Sequence, residues 1–198
     1  MMKKDEGIDI VSEIGGISSI EGAIQLFEEK MDETNLSRIK QIHNAEVFLK
    51  IANAIAMCRP ESVFVNTGSE SDRQFIRELA LKKGEESTLP IEGHTIHYDL
   101  KEEQGRIIDR TYYFTNPGDL VSSLANKLDR TDALADIREK MIGIMSGMIM
   151  VVGFYVRGPV GAPVSNPALE ITSSAYVSHS AEILYRNAFA EFEEQVKL

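Results

Sequence analysis

The sequence predicts an α/β or mixed α+β domain, and three observations carry that reading. Stretches with apolar residues at helical spacing alternate with short apolar runs of strand length. The strongest run, Met148-Ile149-Met150-Val151-Val152-Gly153-Phe154-Tyr155-Val156, has no charge, which suits a strand buried on both faces. Gly, Pro, Ser and Asn punctuate the boundaries between these stretches.

Ser18 followed by Glu21 has the form of a capping box. Ile20, Ala23, Ile24, Phe27 and Met31 then recur at helical spacing, so a helix is expected over 20–31. A second helix is expected over 35–57, with Leu36, Ile39, Ile42, Val47, Ile51 and Ile55 inward and Pro60 as its stop. A strand over 62–66 follows. Thr67-Gly68-Ser69-Glu70-Ser71-Asp72 turns into a third helix with Phe75, Ile76, Leu79 and Ala80 inward and Gly84 ending it. Further along, strands are expected at 95–98 and 111–115, helices at 118–127 and 132–144, and the central strand at 148–156. A strand at 169–172 and a helix over 174–196 close the chain. Neither an internal repeat nor a low-complexity linker is visible.

With 198 residues the chain suits one domain with a real core. Its formal net charge of −10 argues against nucleic acid as a partner, because such a partner needs a basic surface. An acidic domain still binds an anion where one or two arginines are focused in a cleft. The single cysteine, Cys58, ends an apolar helical pattern and reads as a small buried residue. One cysteine permits neither an internal disulfide nor a Cys-based zinc site, so a reducing, cytoplasmic setting is expected. Lys3 and Lys4 precede no apolar core, so no secretory signal is read there. The uncharged run over 141–156 falls short of the ~20 residues a membrane helix needs and is broken by Gly143, Gly147 and Gly153. No membrane partner is expected.

Several residues offer chemistry. The 67–72 turn lacks the Gly-Lys-Ser/Thr of a phosphate loop and carries two carboxylates, so a plain helix cap is favoured. His94 and His97, three apart on a strand, point to opposite faces and suit structural roles better than a shared metal. His179 follows Ser178, but no carboxylate stands at a spacing that would orient it, so a Ser–His nucleophile is not favoured. Arg106 follows Gly105, whose backbone freedom suits a guanidinium that captures a carboxylate or phosphate. By its chemistry alone Arg106 also reads as a solvated surface arginine. Arg157 leads from the apolar strand into Gly158-Pro159-Val160-Gly161-Ala162-Pro163-Val164-Ser165, a pinned path of the kind that holds a ligand or a neighbouring domain. It faces the same cleft or pairs with a loop carboxylate.

Five segments in order resemble GTP-dependent phosphoenolpyruvate carboxykinase, most closely its archaeal branch. They are Asn66-Thr67-Gly68-Ser69-Glu70, Glu92-Gly93-His94-Thr95-Ile96-His97, Gln104-Gly105-Arg106, the Gly158 to Ser165 loop, and Ser174-Ala175-Tyr176-Val177-Ser178-His179-Ser180. The similarity runs from Arg59 to about Glu194. It implies a mixed sheet flanked by helices, the fold of that family's N-terminal substrate-binding domain, over residues 1–198. It implies the conversion of oxaloacetate and GTP to phosphoenolpyruvate, carbon dioxide and GDP in gluconeogenesis. The matching arginine in that family binds the substrate carboxylate and the transferring phosphoryl group, which implies substrate-binding and catalytic duty for Arg106, with Gly105 beside it. Arg157, Gly158, Gly161 and Ser165 are then expected near the site.

Two departures and one absence qualify what the resemblance implies. Val156-Arg157 stands where many members have Ser-Met or Ser-Leu. Thr172-Ser173-Ser174 replaces the family's Thr-Asp-Ser, so weaker capping of the last helix, or altered docking, is expected. The family's nucleotide P-loop and its manganese-binding Lys, His and Asp have no counterpart in the sequence. Mn2+ or Mg2+ and GTP are therefore expected only with a C-terminal nucleotide-binding domain, and the chain alone is expected to hold no metal and to be inactive. The competing expectations are a stand-alone homologue that binds a small carboxylate or a partner without catalysis, and a purely structural domain.

Overall fold

The computed structural model of the protein describes residues 8–100 and 107–197. Helices α1 (Ile10–Gly15), α2 (Ile20–Lys30), α3 (Glu33–Ile39) and α4 (Ala45–Cys58) open the chain. Each starts at a side chain that accepts a backbone N–H: Asp9 from Ser12, Ser19 from Gly22, Asp32 from Asn35, and Asn44 from Val47. The cap of α2 is thus Ser19, not Ser18. The expected helix over 35–57 is two helices, because Asn44 starts a new one at 3.1 Å from the Val47 nitrogen. The sequence reading had no counterpart to α1. Helix α4 ends on Arg59 at a left-handed φ of 52°, with Pro60 next.

Strand β1 (Ser62–Asn66) leads into α5 (Glu70–Lys82), and the short strands β2 (Ser87–Thr88) and β3 (Thr95–Ile96) pair as a hairpin. Strands β4 (Tyr112–Thr115) and β5 (Asn126–Asp129) form a separate parallel pair that leads into α6 (Arg130–Met141). No helix forms over 118–127. Asn116 and Asp119 close a turn instead, the amide of the first donating to the carboxylate of the second at 2.7 Å. Leu120 and Leu124 are 99% and 90% exposed. Their helical spacing finds no surface to pack on, and spacing alone does not hold a short helix in water.

The main sheet is built on β6 (Ile149–Arg157). Strand β1 pairs parallel to it, β7 (Asn166–Thr172) antiparallel on its other side, and β8 (Arg186–Asn187) antiparallel beyond the end of β1. The sheet is therefore mixed. Residues 150 to 156 of β6 are all buried, as the uncharged run requires. Met150, Val152 and Phe154 face a core shared with Phe27, Ile39, Ile51 and Ile55. Alternation turns Val151, Gly153 and Tyr155 to the opposite face, where α7 (Ala175–Leu184) packs on β6, β7 and α5. The expected last helix over 174–196 is interrupted after α7 by β8 and resumes as α8 (Phe192–Lys197). Pairing of Tyr155 with Asn187 and of Val156 with Arg186 takes that backbone out of the helix.

Candidate functional site

At the end of β6, Arg157 is exposed, and among the described residues it makes no ion pair with a loop carboxylate. The loop after it folds back on itself. Gly158 has a φ of 113°, and a Cβ there would run into the Ser165 hydroxyl, so this position demands glycine. The Ser165 hydroxyl donates to the Pro159 carbonyl at 2.7 Å. Two turns close the inside of the loop, from Ala162 N to Pro159 O at 3.2 Å and from Ser165 N to Ala162 O at 3.0 Å. Outside it, Gly161 N donates to Gln195 Oε1 at 2.8 Å, and Gln195 Nε2 donates to Ala162 O at 3.0 Å. Arg186 donates to Gly158 O at 3.0 Å. Gly158, Gly161 and Ser165 are thus brought together, largely by internal contacts. Gly105 and Arg106 lie outside the described residues.

The turn over 67–72 is a helix cap, as its residues suggested. Ser69 caps α5, while the Asp72 carboxylate accepts the Thr67 N–H at 2.9 Å and hydroxyl at 2.6 Å. Arg38 meets the same carboxylate at 2.8 Å. Burial works against the Asp72 charge, but these bonds from Thr67 and Arg38 outweigh it and hold the carboxyl below its ordinary range.

At Thr172-Ser173-Ser174 the start of α7 is capped. Ser174 accepts the Val177 N–H at 3.2 Å and donates to Glu85 Oε2 at 2.9 Å. The same Glu85 oxygen accepts the Tyr176 N–H at 2.8 Å. A carboxylate from the turn beyond α5 therefore serves the start of α7. Burial raises the cost of the Glu85 charge, yet bonds from Lys83, the Tyr176 amide and Ser174 keep its carboxyl below the usual range. His97 extends the same junction. Its Nδ1 bonds the Glu85 carbonyl at 2.6 Å, and its ring stacks on Tyr176 with centroids 3.5 Å apart. His94 bonds the Glu92 carbonyl at 3.1 Å instead, so the two histidines serve separate structural contacts.

His179 needs a correction. Glu86, 3% exposed at its side chain, lies 2.7 Å from His179 Nδ1. A carboxylate does orient this imidazole, from 93 positions upstream, where no local spacing could reveal it. A carboxylate only accepts, so Nδ1 carries the proton of that bond. His179 lines a groove of about 350 Å3 between α5 and α7, with Glu70, Arg73, Arg77 and Glu182. Two carboxylates balance two arginines there, and the Ser178 side chain lies beneath α7, fully buried. No serine nucleophile is presented.

Behind the groove lies a polar layer that the sequence reading missed. Asn66 Nδ2 donates to Glu182 Oε1 at 2.6 Å and lies 3.3 Å from the Tyr155 hydroxyl. Arg73 reaches Glu182 at 3.0 Å. Burial, then the Glu182 charge, pushes Glu170 up to about 7. Cys58 is buried, which raises its thiol. Among the described residues no group of three or more His, Cys, Asp or Glu side chains is placed to hold a metal ion, and no helix is long and apolar enough to cross a membrane.

A mixed sheet covered by helices on both faces, with a pinned Gly/Pro loop leaving its central strand, defines an α/β domain. The phosphoenolpyruvate carboxykinase N-terminal domain model matches residues 50–197, and the chain belongs to that family. The match starts within α4, ahead of the Arg59 from which the motifs were followed. Phosphoenolpyruvate carboxykinase [GTP] of Pyrococcus furiosus is 39% identical over 171 residues, covering 86% of this chain and 27% of that protein. The corresponding protein of Thermococcus kodakarensis is 38% identical over 86% of this chain and 27% of its own length. That of Saccharolobus solfataricus is 34% identical, over 82% and 26%. The chain spans about a quarter of the length of these curated relatives.

Proposed function

We propose that this chain is the substrate side of a GTP-dependent phosphoenolpyruvate carboxykinase and binds oxaloacetate or phosphoenolpyruvate through Arg106. The match of the family's N-terminal domain over residues 50–197, a range that includes Gln104-Gly105-Arg106, carries this reading. The substrates are small anions. A planar guanidinium grips a carboxylate with two parallel bonds and stabilises charge on a transferring phosphoryl group. Gly105 gives the backbone room to present that fork. The 158–165 loop, held from within and by Gln195 and Arg186, is the firm edge against which a nucleotide-binding domain would sit. Arg157 would stand exposed at that edge.

No cluster of three or more His, Cys, Asp or Glu side chains among the described residues is placed to hold Mn2+ or Mg2+. On this reading metal and GTP belong to the further length present in the relatives, the reaction would serve gluconeogenesis in the cytoplasm, and the isolated chain turns over no oxaloacetate.

Calorimetric titration of the chain with oxalate, phosphoenolpyruvate, GTP and Mn2+ separately tests the reading. Oxalate and phosphoenolpyruvate are expected to bind, Arg106→Ala to abolish that binding, and Arg106→Lys to weaken it, because an ammonium cannot make the two-pronged contact. GTP binding without carboxylate binding overturns it.

A further inference from the structure

Asn66, Gly153 and Glu170 stand side by side on β1, β6 and β7. Directly opposed residues share a face of the sheet, so the Asn66 and Glu170 side chains rise together beneath α7. Gly153 leaves a gap between them that the Tyr155 ring covers; a Cβ on Gly153 would strike it. Helix α7 closes over this row and brings Glu182, whose side chain is 8% exposed. Glu182 has Asn66 at 2.6 Å and Arg73 at 3.0 Å. Glu170 is less well provided for. Its Oε1 is buried without a hydrogen-bond partner among the described residues. Glu170 as a whole is half-buried, but a carboxylate oxygen buried without a donor is costly and a second carboxylate nearby adds repulsion, whereas a neutral acid lessens both penalties.

We propose that Glu170 is a proton-binding site in the interface between β7 and α7, and that release of its proton loosens α7 from the sheet. The groups facing it are Glu182 from α7 and Tyr155 from β6, with the neutral Asn66 from β1 and with Arg73 of α5 reaching it only through Glu182. Burial pushes the Tyr155 hydroxyl far up, so it stays neutral as Glu170 titrates. Glu170, pushed up to about 7, is the group that changes charge in the neutral range. Helix α7 runs into Arg186, which holds the Gly158 carbonyl at 3.0 Å, so loosening it reaches the 158–165 loop.

The folded state holds the Glu170 proton more tightly than the unfolded chain. The stability it adds is fully present below the ordinary glutamate value, about 4.3, and is lost as pH rises through about 7. Hydrogen exchange over residues 175–186, corrected for the chemical exchange rate, is the test. Opening of α7 is expected to rise by up to about tenfold per pH unit below the midpoint and to level off above it. Glu170→Gln is expected to keep α7 closed and flat across the same range. A flat wild type, or the wild-type slope retained in Glu170→Gln, overturns the proposal. Carbon NMR of the Glu170 carboxyl in the wild type reads its titration directly, and a midpoint in the ordinary glutamate range overturns the proposal even if the variant does not fold.

Discussion

The carboxamide of Gln195, 2% exposed, accepts the Gly161 N–H at 2.8 Å and donates to Ala162 O at 3.0 Å and Ser165 O at 3.3 Å. One side chain of α8 thus completes the backbone bonding of a loop that begins at the end of β6. The loop's shape is a tertiary property. Its glycines permit the path, and Gln195 selects it.

Replacing Gln195 with Leu keeps the bulk and strands Gly161 N–H and Ser165 O, while Ala162 O keeps its bond from Ser165 N. An unsatisfied buried group costs about 1–3 kcal/mol, and partial access of the loop to water relieves some of that. A loss of about 2 kcal/mol in urea denaturation is expected. Glutamate would retain the bond from Gly161 but lose both donations, so Gln195→Glu should be nearly as damaging. A midpoint unchanged in Gln195→Leu would show that the loop holds itself.

Gly153 allows the Tyr155 ring to fold back over β6 toward Asn66. Gly153→Ala forces the ring off that position, and overpacking of this kind costs about 1–3 kcal/mol. Adding Tyr155→Phe should recover little of the loss, because the collision involves the ring edge as well as the hydroxyl. Thermal unfolding of the two variants checks both expectations.

What was legible in the sequence is what local spacing encodes. The helix from Ile20, the helix from Glu70 and the buried strand to Val156 follow from apolar periodicity and caps within one turn. Asn44 was a legible cap overlooked inside a longer apolar pattern. The last helix failed for a different reason. Ala181, Leu184, Ala188 and Phe192 keep helical spacing across the break, but pairing of β8 with Tyr155 and Val156 prevails. The His179–Glu86, Tyr176–Glu85 and Asn66–Glu182 contacts join positions 93, 91 and 116 apart, beyond any motif. Arg106 came from family resemblance and Gly105, and lies outside the described residues.

Glu85 accepts the Ser174 hydroxyl and the Tyr176 N–H at the start of α7. Bonds to a charged group contribute about 1.5–3 kcal/mol, so Glu85→Ala is expected to cost about 2 kcal/mol. Its folded carboxyl lies below the ordinary range. The stability it adds is therefore present above the unfolded glutamate value, about 4.3, and is lost as pH falls through the lower folded value. Glu85→Ala should flatten the acid limb of a stability–pH curve. Ser173→Asp in that background should restore part of the loss by offering α7 a carboxylate again, while in the wild type it should change stability by less than about 0.5 kcal/mol.

Arg38 and Asp72 set the largest expected effect. Their 2.8 Å contact joins side chains 19% and 4% exposed, and Arg38 also donates to Val65 O at 2.9 Å. Arg38→Met leaves Asp72 buried with only Thr67 as donor, and breaking such a pair from one side costs about 3–5 kcal/mol. Asp72→Asn alone should also be costly, since the arginine then lacks its counter-charge. The double variant should be milder than the sum, because no charge remains unpaired. The folded Asp72 carboxyl lies below its ordinary range, so its contribution is present above the unfolded aspartate value, about 3.9, and fades as pH falls through the lower folded value. Chemical denaturation of all four proteins between neutral pH and about pH 3 measures the coupling. Additive losses, or the same acid limb in Arg38→Met as in the wild type, would show that the pair does not tie α3 to the start of α5 energetically.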